Sequence, residues 1–261
     1  MAVMRPLAAL TGRRDGRDEQ SRGLLGRLSL GAAAAAVVAI PFTLLLLLVL
    51  SEWEPLERLD KSVANDLHGY VSGHPTTVDL LEAGSVALDP FVFRGLVLIV
   101  AGWLWWRGAR RLAVWALVTM AIGGILGVVL KLLVERSRPA FPEPVVTATG
   151  FSFPSGHALN SLLCVGIVIL ALLPVLDRAG RLVAYTVGAG LVLLTGYDRI
   201  ALGVHYVSDV LAGWGVALAC LAGTSAAFEV WRREHGRRPS DVDEGVDPEA
   251  APALREKVPP E

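Results

Sequence analysis

The sequence predicts an all-α polytopic membrane protein of six transmembrane helices, with its chemistry gathered at the extracytoplasmic helix ends. Three observations predict it. Hydrophobic residues make up 53% of the 261-residue chain, and the mean hydropathy is +0.52. These residues are collected into long runs, where soluble domains disperse them. Between the runs, arginine clusters alternate with loops of other character.

Residues 1–27 form an Arg-rich tail (Arg5, Arg13, Arg14, Arg17, Arg22, Arg27). No apolar core lies near enough to its start for an ordinary signal peptide, so a cytoplasmic tail is expected. The first span follows at about Leu28–Leu50, long enough to cross at roughly 1.5 Å per residue, with Pro41 as a kink. Residues 51–90 read as the longest loop. It is acidic (Glu52, Glu54, Glu57, Asp60, Asp66, Asp79, Glu82, Asp89 against Arg58 and Lys61), with room for amphipathic helices lying on the membrane. A second span, about Phe91–Trp106, ends in Trp103, Trp105, Trp106 and then Arg107, Arg110, Arg111, the pattern of a cytoplasmic interface. The third, about Leu112–Val134, carries Gly123-Gly124-Ile125-Leu126-Gly127, which lets a neighbouring helix approach closely.

The fourth span runs from Ser155 to about Val175. A tight turn at Asp177–Arg181 leads to the fifth, about Leu182–Thr195, and the sixth covers about Gly203–Trp231. The membrane domain is thus expected over residues 28–231. The tail 232–261 is first basic, then acidic and Pro-rich, and reads as disordered. The arginine clusters put both tails inside and the loops after spans one, three and five outside a cell membrane. A net charge of −1 argues against a nucleic-acid partner. Cys164 and Cys220 lie within apolar runs and read as core residues, with no disulfide framework.

Against the positive-inside tendency, arginines sit in the outer loops: Arg136 and Arg138 follow span three, and Arg199, beside Asp198, precedes span six, while Lys131 lies at the end of span three. Charges at the mouths of apolar runs are costly and by default point to function. His205 and Asp209 are four apart, so on a helix their side chains meet, and the carboxylate would fix the imidazole tautomer and leave its other nitrogen free. Ser155 is a natural N-cap, and Gly156 leaves the amides of a helix N-terminus open to an anion. The residues supply what phosphoryl transfer through a histidine needs. Lys131, Arg138 and Arg199 would neutralise phosphate oxygens, and Ser155 and Gly156 would add hydrogen bonds. His205, oriented by Asp209, would attack phosphorus, and His157 would protonate the leaving group and then activate water. No cluster has the spacing of metal ligands, and no cofactor is called for.

Lys131-x6-Arg138-Pro139, Pro154-Ser155-Gly156-His157 and Arg199-x5-His205-x3-Asp209 resemble the three-part signature of the type 2 phosphatidic acid phosphatase family. The resemblance, which covers about residues 91–228, implies a six-helix, metal-independent lipid phosphate phosphatase with a phosphohistidine intermediate. Undecaprenyl diphosphate, phosphatidic acid and phosphatidylglycerol phosphate are its candidate substrates. The chain departs from the family at Asp198, where Ser is common, and Asp198 is expected to point outward or to pair with Arg138 or Arg199. A lipid phosphotransferase, or a non-enzymatic anion- or lipid-binding membrane protein or transporter, are the alternatives. Ser72-Gly73-His74 imitates the second motif without its Pro or its apolar helix. His68 and His235 read as solvated, and Arg136 as a supporting or headgroup-binding residue.

Overall fold

A computed structural model of the chain describes residues 38–255, and these are helical, with no strand among them. The part of the predicted first span before Val38, the N-terminal tail and the last six residues lie outside the described residues. Helix α1 (Val38–Leu50) meets α2 (Glu54–Ser72) at a bend of 88°. Then come α3 (Pro75–Ala87), α4 (Pro90–Trp106), α5 (Arg110–Val134), α6 (Gly156–Leu172), α7 (Arg178–Ala201), α8 (Val207–Glu234) and a short α9 (Ala251–Arg255). Among the described residues, five helical stretches are long and apolar enough to cross a membrane, and six if the bent α1–α2 pair counts as one span.

Helix α6 is the central post. It contacts α4, α5, α7 and α8, and half of its span is buried, more than in any other candidate span. Small residues on its neighbours permit this approach. A Cβ on Gly123 of α5 would stand 2.2 Å from Leu163 Cδ1, and one on Gly213 of α8 would stand 2.6 Å from the Ser155 carbonyl oxygen. The predicted use of the α5 glycines is therefore met at Gly123. Gly213 fixes how closely α8 can hold the N-terminus of α6. The core built on this post includes Leu112, Trp115, Leu163, Ile167, Val216 and Leu221.

Four sequence expectations need correction. Residues 51–90 are not mainly loop: the helices for which the segment had room, α2 and α3, fill most of it, each opened by a proline in its first turn, where the missing N–H costs nothing. The buried residues of α2, Asp60, Ala64 and Val71, lie on one stripe, which hid it as an acidic loop. The fifth span is longer than expected at both ends, so Asp198 and Arg199 sit in the last turn of α7 and not in a loop. The sixth helix starts at Val207, because Gly203, at φ +68, turns the chain back before it.

The tail is not disordered over 232–255. Arg232 is buried against Glu229 and Glu249, 2.7 Å from each. Val246, Ala250 and Leu254, spaced by four, join the main core. Arg107 donates to the carbonyls of Ala253 and Leu254 at 3.0 and 2.7 Å. The acidic composition that resembles a disordered tail here supplies counter-ions to the basic helix end before it.

Candidate active site

The C-terminal ends of α5 and α7 and the N-terminal ends of α6 and α8 converge at one end of the bundle. Ser155 caps α6: its Oγ accepts from Ala158 N–H, and its own N–H donates to the Asp209 carbonyl at 2.9 Å. That bond ties the second motif to the third through backbone, independent of any side chain. A Cβ on Gly156 would meet nothing within 4 Å, so there is open space beside the first residue of α6.

Lys131, in the last turn of α5, donates from Nζ to the Phe151 carbonyl at 2.7 Å. Arg138 spreads its guanidinium over three carbonyls, those of Gly150 (3.0 Å), Thr149 (3.1 Å) and Val204 (2.7 Å). One of its Nη atoms also stands 3.2 Å from His205 Nε2. Arginine has no acceptor, so Nε2 must present its lone pair and the ring proton must sit on Nδ1. Nδ1 faces Asp209 Oδ2 at 3.5 Å. Asp209 is thus the carboxylate nearest Nδ1, with no hydrogen bond formed between them, and His205 lies in the turn before α8 and not on the helix with Asp209. Burial pushes the His205 imidazole down to about 4, with the Asp209 carboxylate opposing, so the ring is neutral at neutral pH.

Asp209 is fully buried. Its Oδ2 accepts the Tyr206 N–H at 2.9 Å, closing the N-terminus of α8, and its Oδ1 accepts from Arg136 at 2.7 Å. Arg199 is buried as well, paired with Asp198, with one Nη 3.4 Å from His157 Nε2. Its carbonyl accepts the N–H groups of Val204 and His205, which fixes the turn carrying His205. Of the two expectations for Asp198, the pairing with Arg199 holds; the residue is 2% exposed and does not point outward. The structure therefore brings Lys131, Arg138, Ser155, Gly156, His157, Arg199, His205 and Asp209 to one end of the bundle. Among the described residues, no group of three or more His, Cys, Asp or Glu side chains is placed to hold a metal ion.

Sequence reasoning missed Asp60. It lies on α2 and is fully buried; it accepts from Ser208 N–H at 3.0 Å and from Arg136 at 2.8 Å. Arg136, read as a supporting or headgroup residue, points inward between Asp60 and Asp209, with Tyr206 stacked over its guanidinium at 4.5 Å. The available signal was a carboxylate on the apolar stripe of an amphipathic helix. His68, expected to be solvated, has its Nδ1 buried and 3.4 Å from where a Cβ on Gly203 would stand, close to the turn that carries His205. His68 stacks on Phe141 at 3.8 Å and bonds the Glu143 carbonyl, bracing the loop after α5, and His74 Nδ1 bonds the Tyr70 carbonyl.

Residues 112–233 match the PAP2 superfamily. The chain is 34% identical over 131 residues to phosphatidylglycerophosphatase B of Bacillus subtilis, covering 49% of this chain and 63% of the relative. It is 30% identical over 113 residues to an undecaprenyl-diphosphatase of Sulfolobus acidocaldarius (41% and 51%). To a decaprenylphosphoryl-5-phosphoribose phosphatase of Mycobacterium tuberculosis it is 38% identical over 101 residues (38% and 50%). The matches thus span about half to just under two thirds of these relatives. The crystal structure of a transmembrane PAP2-type phosphatidylglycerolphosphate phosphatase from Bacillus subtilis superimposes with a TM-score of 0.67 at 24% identity, covering 76% of this chain and 98% of that one. That likeness establishes the fold.

Proposed function

We propose that this chain, with its PAP2-superfamily segment at residues 112–233, is a membrane phosphatase that hydrolyses a lipid phosphate or diphosphate through a phosphohistidine. One observation carries the reading: His205 Nε2 offers its lone pair to Arg138 at 3.2 Å while Nδ1 faces Asp209. A protein that only binds anions needs the cations but has no use for an imidazole held neutral and aimed at them.

In the first step Nε2 attacks phosphorus, and the bond from phosphorus to the lipid oxygen breaks. The electron pair leaves on that oxygen, which takes a proton from His157. Lys131, Arg138, Arg199 and the amides after Ser155 hold the three non-bridging oxygens as charge shifts in the transition state. In the second step water gives its proton to His157 and its oxygen to phosphorus, the N–P bond breaks, and phosphate departs. Arg199 stands 3.4 Å from His157 Nε2, so the proton that His157 donates would be held there by the negative charge of a phosphate lying between the two groups. The reading includes an outward-facing site with both tails in the cytoplasm, supported by the arginine clusters.

The test is phosphate release from lipid phosphates in detergent with EDTA present, alongside trapping of an acid-labile phosphoenzyme. Wild type should do both, and His205→Ala should do neither while keeping its elution profile. Substantial turnover by His205→Ala removes the mechanism.

A further inference from the structure

One cation near the site has no part in the mechanism above. Arg94 lies one turn inside α4, an apolar span where an arginine is expensive and by default functional. Its Nε donates to Asn160 Oδ1 at 2.9 Å, and its guanidinium lies over Phe91 at 5.4 Å. No carboxylate among the described residues pairs with it. Asn160 is 2% exposed and is itself held by the Gly156 carbonyl at 2.7 Å, so Arg94 is tethered to the first turn of α6, the turn that carries His157.

The surrounding space has a direction. A small crevice of about 60 Å³ is lined by Lys131, Gly156, Arg94 and Asn160 among others. Arg94, Gly124 and Val128 also line a much larger apolar groove of about 560 Å³ on the outer face of α4 and α5. Arg94 therefore stands where the crevice beside Lys131 and Gly156 adjoins a surface suited to a hydrocarbon chain. An anion at Arg94 would lie between the reacting phosphorus and the lipid tail.

We infer that Arg94 is a specificity-determining residue that binds the tail-side phosphate of a lipid diphosphate, with the chain running into the α4–α5 groove. The inference rests on the phosphatase reading and names its substrate class. In the transfer step the terminal phosphoryl group moves to His205 Nε2. The bond that breaks joins its phosphorus to the bridging oxygen, and the leaving group is the lipid monophosphate. Negative charge grows on that leaving group, and Arg94 is the cation placed to meet it. A lipid monophosphate puts no anion at Arg94 and gains nothing from it.

The experiment compares Arg94→Gln and Arg94→Lys with wild type, each as the full chain in detergent, on a polyprenyl diphosphate and on the matching polyprenyl monophosphate. Hydrogen bonds to charged groups are worth enough that Arg94→Gln should lose about 10- to 100-fold in kcat/KM on the diphosphate. It should change less than about threefold on the monophosphate, and Arg94→Lys should recover part of the loss. Binding of a non-hydrolysable polyprenyl methylenediphosphonate, read by competition, should weaken in parallel, and this readout does not depend on turnover. Equal losses on both substrates would make Arg94 a packing residue and overturn the inference, as would no loss on either. Wild type that binds the diphosphonate in an Arg94-dependent way but hydrolyses neither lipid would overturn the phosphatase reading and leave the anion site standing.

Discussion

Arg136 and Asp209 meet at 2.7 Å beneath the imidazole of His205, and the same guanidinium reaches Asp60 at 2.8 Å. One cation thus balances two buried carboxylates, one from α2 and one from α8. Asp209 uses its other oxygen to face His205 Nδ1. The arrangement makes the orientation of His205 depend on a helix far away in sequence.

Removing Arg136 should therefore be costly in a specific way. Breaking a buried pair by deleting one partner typically costs about 3–5 kcal/mol, because the remaining charge is left uncompensated. Arg136→Met should lower the melting temperature and the turnover of the protein. Adding Asp60→Asn to it should restore part of the stability, since one orphaned carboxylate is then neutral. A double-mutant cycle in detergent checks this, and strict additivity of the two changes would contradict the network.

The depressed His205 value predicts a pH dependence of stability. The folded value of about 4 lies below the ordinary 6.5, so as pH falls the unfolded chain takes up this proton first. The stability contributed by neutral His205 is complete above pH 6.5 and is lost as pH drops towards 4. Between pH 7 and 4, wild type should lose thermal stability more steeply than His205→Asn, whose side chain does not titrate. Parallel curves would show that His205 is not buried neutral. The same value puts the acid limb of kcat/KM near pH 4, once the ionisation of the substrate is measured separately.

His157 should matter in proportion to how poor the leaving group is. General acid catalysis contributes about 10²–10⁴-fold. His157→Ala should lose about that on a lipid monoester and much less on p-nitrophenyl phosphate, provided that formation of the phosphoenzyme limits both rates. A diphosphate should fall between them. Equal losses across the series would leave His157 as a phosphate ligand only.

The orientation can be read chemically. Cys164 and Cys220 are buried and can be replaced by Ala, and single cysteines can then be placed at Arg110 and Glu143, both exposed. An impermeant thiol reagent applied to intact cells should label position 143 and spare position 110. The reverse pattern would put the candidate site on the cytoplasmic side.

Much of this protein was legible in its sequence because its signals are local. Apolar runs betray membrane helices by length alone. Ser155 and Gly156 declare a helix N-terminus through chemistry confined to one turn, and the four-residue step from His205 to Asp209 holds the pair together even though a turn, not a helix, carries the histidine. What escaped was non-local or balanced by partners far along the chain. Asp60 looked like one acid among many in a polar stretch, until α2 folded against α8 and met Arg136. The acidic segment after Arg232 looked unfoldable, because its counter-ions and its apolar partners lie on α8 and α6. Arg94 looked like one more residue of an ordinary span, until α6 brought Asn160 beside it and the crevice to Lys131 took shape. Sequence spacing determines which side chains can share a turn. Which buried charge answers another across the bundle is decided only when the helices pack, since the cost of burying a charge is offset by a partner whose distance along the chain is arbitrary.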